Sequence, residues 1–300
     1  MKSKPKILVV LGPTATGKSS LAVELAKKFD GEIISADSRQ VYKGLNIGTG
    51  KVTKKEMKGI LHHLLDLRSP KYVFSVSDFK KKAEKEIDII LNKNKLPIIC
   101  GGTGFYIQAL VDNINIPEVP ANYKLRKELE KKSTEELFKI LKKLDLKRAK
   151  NIDSKNPRRL IRAIEIAKSI GKVPDLSYQL STTNYKPIFI GLDLSDKELK
   201  NKIHTRLLAR VKEGMIAEAK RLRKEGLSLK RMEELGLEYK FLAKHLKGEL
   251  SKEEMIEKLN TAIWQYAKRQ RTWFKRDKRI LWFKPSEQKK IEKEVDKFLN

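Results

Sequence analysis

The stretch GPTATGKS, residues 12–19, has the GxxxxGK[ST] form in which backbone amides and a lysine grip phosphates. Gly12 and Gly17 let N–H groups converge on phosphate oxygens, and a helix starting behind the loop adds the positive end of its dipole. Pro13, Thr14, Ala15 and Thr16 complete the cradle, and Lys18 is its mobile cation. The Ser19 hydroxyl suits an Mg2+ bridging phosphates, because magnesium takes few protein ligands and fills its octahedron with water and substrate oxygens. Two further residues could meet such a ligand. Asp37, in ADSRQVY, fits a turn cap as well as a metal ligand or proton acceptor. Thr103, in GGTG (101–104), fits a plain strand-to-helix turn as well as a hydroxyl offered to an anion. GTGK (48–51) looks like a fragment of a phosphate loop but follows no apolar strand and is set aside. His62 and His63 are adjacent, so their side chains diverge; they read as structural and not as paired metal ligands.

These residues need strand ends to stand on. ILVVL (7–11) is a continuous apolar run suited to a buried parallel strand, and it leads directly into the glycine loop. SSLAVELAKKF follows as a helix, with Leu21, Leu25 and Phe29 on one stripe. EIISADS (32–38), LPIICGGTGFY (96–106) and PIFIGLDL (187–194) read as further strands, and 77–94 as a helix with Phe79, Ala83, Ile87, Ile90 and Leu91 inward. Strands alternating with helices predict an α/β fold with a parallel sheet, whose ligands gather at the carboxyl ends of the strands. Residues 113–185 carry helical signals only. Ser133 and Glu136 make a capping box; Asn156, Pro157 and Gly171 frame the next helix. Because a strand resumes near 187, this segment reads as a small all-helical insertion domain between a first core part (1–112) and a second (186–300). Further helices start at Ser195 and Ser251, each with an acid three residues on, and EQKKIEKEVDKFLN looks like a final surface helix. No acid is found closing an apolar strand as a second metal motif; Asp88 lies inside a helix.

Charge points to the partner. Lys and Arg number 67 against 38 Asp and Glu, a formal +29 over 300 residues, beyond what solubility requires. Seven of the twelve residues from 268 to 279 are basic and one is acidic, with Trp264 beside them, the residue types that contact phosphates and stack on bases. Arg158, Arg159 and Arg162 add a second basic surface. A single cysteine, Cys100, excludes an internal disulfide and a multi-cysteine zinc module. No apolar run is long enough for a membrane span and no cleavable signal is seen, so no membrane partner and a cytoplasmic location are expected.

Taken in order, GPTATGKS, ISADSRQVYKGLNIGTGK, HHLLDL, ICGGTGFY, NPRRLIRAIEI, LGLEYK and YAKRQRTWF resemble the tRNA dimethylallyltransferases of bacterial type. The resemblance implies a P-loop kinase-like core with a helical insertion and a helical C-terminal part. It implies transfer of a dimethylallyl group from dimethylallyl diphosphate to N6 of the adenosine 3′ of the anticodon, with Mg2+. Asp37 is then the general base, Thr103 and Arg206 assist the departing diphosphate, and residues 12–19 hold it. It carries tRNA contacts to Asp37, Ser38, Arg39, Gln40, Arg158, Arg159, Arg162, Gly236, Tyr239, Lys268, Arg269 and Gln270. The anticodon stem-loop is the expected partner and a monomer the expected state. The chain departs from the family at GLEYK, where many members read a compact GY[KR]. Competing readings of the same loop are a prenyltransferase acting on free adenine nucleotide, a small-molecule kinase using ATP, and a non-catalytic RNA-binding NTPase.

Overall fold

A computed structural model describes residues 4–174 and 183–300. The chain begins β1 (Lys6–Leu11), α1 (Lys18–Lys28), β2 (Gly31–Ser35), α2 (Lys54–Met57), β3 (His62–His63), α3 (Val76–Asn92), β4 (Leu96–Gly101) and α4 (Gly104–Val111). Four helices follow: α5 (Tyr123–Leu129), α6 (Thr134–Leu144), α7 (Leu146–Lys150) and α8 (Pro157–Ile170). Then come β5 (Lys186–Leu192), α9 (Asp196–Lys212), α10 (Met215–Lys224), α11 (Leu229–Leu235), α12 (Leu237–Leu246), α13 (Lys252–Phe274), β6 (Ile280–Phe283) and α14 (Gln288–Leu299). Met1–Asn113 and Leu180–Asn300 form one compact unit, and Ile114–Gln179 a second.

The first unit holds a parallel sheet in the order β3-β2-β4-β1-β5-β6. Side chains of β1 alternate between two cores, as the two-residue strand period requires. Ile7, Val9 and Leu11 join the large core on one face, and Leu8 and Val10 join the core on the other. Both faces are covered, which is why these strands read as unbroken apolar runs. Helix α14 is part of that covering: Ile291 and Val295 are fully buried with Leu8 and Val10. The terminal segment expected as a surface helix therefore seals the sheet with one face. β6, ILWF, pairs with β5 at the sheet edge and is an element that sequence reading missed.

Helix starts follow their caps. α3 begins at Val76, where Ser75 and Asp78 form a reciprocal capping box, just ahead of the 77–94 span expected. The same device starts α6 at Ser133, α9 at Ser195 and α13 at Ser251. The second unit has its own core of Leu129, Leu137, Leu141, Leu160, Ile161 and Ile164 from α5, α6 and α8. Asn156 caps α8 and Pro157 occupies its first turn.

Candidate active site

Strand register places the chemistry. Leu11 lies level with Gly101 on one side and Gly191 on the other, while Ser35 pairs with Cys100. The phosphate loop, the 102–104 turn and the turn holding Asp37 therefore leave the sheet at the same edge. The phosphate loop is built in two tiers. Ala15, Gly17, Lys18 and Ser19 line a cavity of about 550 Å3, together with Gly50, Lys51, Arg206 and Arg210. The other residues support them. Thr16 is buried and its Oγ1 donates to the Pro13 carbonyl at 2.9 Å. The Thr14 amide donates to Gln270 Oε1 at 2.8 Å, so that loop amide is engaged within the protein. Gly12 has φ +136°, and a Cβ there would lie 2.2 Å from the Leu192 carbonyl oxygen, which only glycine avoids.

Lys18 Nζ donates to the Pro13 carbonyl at 2.5 Å. Loss of water lowers its pKa from the usual 10.5 to about 8, and Arg206 pushes the same way. Arg206, on α9, is lowered to about 10, first by burial and then by Arg210 one turn on. Ser19 Oγ makes no hydrogen bond among the described residues, and no group of three or more His, Cys, Asp or Glu side chains there is placed to hold a metal. A single free hydroxyl beside a phosphate loop fits Mg2+, which would take its remaining ligands from water and phosphate oxygens.

The loop 46–51 forms the facing wall. Buried Glu218 accepts the backbone amides of Asn46, Ile47 and Gly48 at 2.8–3.0 Å, and the Tyr239 hydroxyl at 2.7 Å. Arg206 donates to the Gly50 carbonyl and Arg210 to that of Gly48. A Cβ on Gly50, which has φ +57°, would lie 1.7 Å from Arg210 Nη2. Gly50 thus admits two guanidinium groups, and Gly48 admits the Tyr239 ring, whose hydroxyl oxygen would lie 2.8 Å from a Cβ there.

Asp37 follows β2. Its Oδ1 accepts the amides of Arg39 (2.8 Å) and Gln40 (3.3 Å), while Oδ2 has no protein partner among the described residues. The side chain caps the turn with one oxygen and leaves the other available. Thr103 Oγ1 accepts the Ser38 amide at 3.0 Å, which leaves its own proton to donate. Gln270, on α13, ties these parts together: its Nε2 donates to the Gly102 carbonyl at 2.8 Å while its Oε1 takes the Thr14 amide.

Several residues expected to touch RNA also hold parts of the protein together. Gln270 is buried and clamps two loops; Tyr239 is buried under loop 46–51. Arg162 donates to Glu165 and to the Val119 carbonyl inside the helical unit. Arg158, Arg159, Lys268 and Arg269 are exposed. Lys268 and Lys200 lie 5.6 and 5.0 Å from the Trp264 ring, a flat aromatic flanked by cations. Arg271, one of the seven basic residues between 268 and 279, binds Asp193, Asp196 and the Leu194 carbonyl. Asp193 also corrects the search for acids: it closes apolar β5, yet Arg271 holds it. His63 contacts Glu32 and Glu86, a structural role for that residue.

A phosphate loop on the central strand of this parallel sheet, with a carboxylate beyond the neighbouring β2–β4 edge, defines a P-loop kinase-like α/β protein. A sequence model of the IPP transferase family matches residues 40–277. A tRNA dimethylallyltransferase of Treponema denticola is 46% identical, over 92% of this chain and 93% of its own. That of Anoxybacillus flavithermus is 40% identical, over 98% and 95%. Among solved structures, a tRNA delta(2)-isopentenylpyrophosphate transferase of Staphylococcus epidermidis aligns with TM-score 0.73 at 38% identity, covering 99% of each chain. A eukaryotic dimethylallyltransferase acting on tRNA aligns with TM-score 0.76 at 27% identity, over 90% of this chain and 70% of that one. The chain belongs to the IPP transferase family.

Proposed function

We propose that the protein transfers a dimethylallyl group from dimethylallyl diphosphate to N6 of the adenosine 3′ of the anticodon in tRNA, releasing diphosphate. The observation that carries this reading is the pairing of a half-engaged carboxylate, Asp37, with two cavity cations, Lys18 and Arg206, whose only hydrogen-bond partners among the described residues are carbonyls. The bond between the prenyl carbon and the diphosphate oxygen breaks and a bond from that carbon to N6 forms. The amine proton passes to Asp37 Oδ2. Lys18, Arg206, the Thr103 hydroxyl and the amides of the loop meet charge as it develops on the leaving oxygen. Ser19 would hold Mg2+, which would supply further neutralisation of the phosphate oxygens.

An exocyclic amine reaches Asp37 only when its base leaves the stack, so the RNA must present an extruded purine. Ser38, Arg39, Gln40 and Gly236 stand next to that entry: a Cβ on Gly236 would lie 4.0 Å from Arg39 Nη2. Lys268 and Arg269, and Arg158 and Arg159 on the helical unit, supply phosphate contacts. A monomer acting in the cytoplasm is part of this proposal; among the described residues no helix is long and apolar enough to cross a membrane.

The test is a pair of incubations with the same RNA and Mg2+, one with dimethylallyl diphosphate labelled in its five-carbon chain and one with ATP labelled at the γ-phosphate. Label from the isoprenoid should enter RNA. Label from ATP, entering RNA or any nucleotide acceptor in its place, would favour the kinase reading.

A further inference from the structure

Four cationic side chains line the cavity behind the phosphate loop, Lys18, Lys51, Arg206 and Arg210, together with the carboxylates of Glu56 and Glu213. Two of the cations have acids of their own. Lys51 Nζ lies 2.5 Å from Asp66 Oδ1 and donates to the Tyr42 carbonyl at 2.8 Å. Arg210 Nη1 donates to Glu238 Oε1 at 3.3 Å and to the Gly48 carbonyl at 3.4 Å. Among the described residues, Lys18 and Arg206 hydrogen-bond only to the carbonyls of Pro13 and Gly50. Glu238 is itself buried and stands behind Arg210, not on the cavity wall. A buried acid next to a buried guanidinium, away from the reacting atoms, does nothing in the transfer just described. It does fix how much positive charge the cavity offers.

We propose that Glu238 selects the anion this cavity accepts: by pairing with Arg210 it leaves Lys18 and Arg206 as the cavity cations that touch no acid among the described residues, a reduced positive charge that suits a diphosphate and disfavours a triphosphate. The inference rests on reading the cavity as a diphosphate site. A triphosphate carries one more negative charge, and an unpaired guanidinium in a cavity of low dielectric would attract it strongly. A phosphate loop of this form also suits nucleotides, so a device that subtracts one cation keeps them out. Glu238 is thus a specificity-determining residue that acts through Arg210.

The test measures binding of inorganic diphosphate and inorganic tripolyphosphate, with Mg2+ held constant, to the full chain and its variants. Wild-type protein should prefer diphosphate. Glu238→Gln should tighten tripolyphosphate by about tenfold while changing diphosphate by less than about threefold. Glu238→Asp, which keeps the charge, should retain the wild-type ratio. The double variant Arg210→Gln with Glu238→Gln leaves neither buried charge, and its ratio should also stay wild-type; this protein supplies the answer should the single variant fail to fold. An unchanged ratio in Glu238→Gln, or a double variant that favours tripolyphosphate, overturns the proposal. Wild-type protein that binds neither anion overturns the diphosphate reading itself, and the proposal with it.

Discussion

Lys18 and Arg206 face a cavity of about 550 Å3, whereas Arg158, Arg159, Lys268 and Arg269 face solvent. Inside the cavity, burial alters the groups themselves: Lys18 falls to about 8 and Arg206 to about 10. Around them, buried side chains fix the backbone, with Glu218 taking three amides of loop 46–48 and Gln270 bridging the phosphate loop to Gly102. The exterior arginines and lysines keep their water, and their attraction for a polyanion is long-ranged and screened by salt. On the function proposed above, identical residue types serve chemistry in one place and affinity in the other, and environment decides which.

The sharpest way to break that contrast is to remove the carboxylate. Asp37→Ala should lower prenyl transfer by about 10³-fold or more, with RNA affinity within a few-fold of wild type. Full activity in that variant would take the base role from Asp37. Next, Arg206→Ala should cost on the order of 10²–10³ in kcat, since it removes a donor aimed at developing charge. A change confined to RNA affinity would place Arg206 with the exterior set. Replacing Lys268 and Arg269 together by Ala should do the reverse: weaker RNA binding, a salt slope smaller by about one for each phosphate no longer neutralised, and kcat at saturating RNA unchanged.

Acidity separates the two regions more gently. Lys18 carries its charge below about 8, so binding of inorganic diphosphate to the free protein should weaken as pH rises through that value. For stability the sign is opposite. Between about 8 and 10.5 the unfolded chain holds more protons at this lysine than the native one, so this group adds stability as pH rises. The smallest effect on function is expected at Arg271. Its charge serves Asp193 and Asp196, so Arg271→Ala should lower Tm by a few degrees and leave the RNA salt slope alone. A reduced slope would return Arg271 to the RNA face.

Much of this was legible in the residues. The glycine loop, its strand and helix, the strand-end Asp37 and Thr103, and the capped helix starts are all local signals, carried by neighbours in the chain. What escaped was set by distant partners. Gln270 and Tyr239 look like polar residues on helices, and only folding brings them against Thr14 and Glu218, 256 and 21 residues away. Arg271 lies in a run of positive charge, yet α13 turns it toward the acids after β5. Gly48 and Gly50 resemble part of a phosphate loop but are required by side chains more than 150 positions later, Gly48 by Tyr239 and Gly50 by Arg206 and Arg210. β6 is four residues long, too short for its periodicity to show.

The central claim is that the loop at 12–19 holds the leaving diphosphate of a prenyl donor while Asp37 accepts a proton from an adenine amine. Mass spectrometry of tRNA nucleosides after incubation with the protein, dimethylallyl diphosphate and Mg2+ tests it most directly. The account predicts an adenosine heavier by one dimethylallyl group next to the anticodon, and none with Asp37→Ala. Unmodified adenosine with folded wild-type protein, or modification that survives loss of the Asp37 carboxylate, would contradict it.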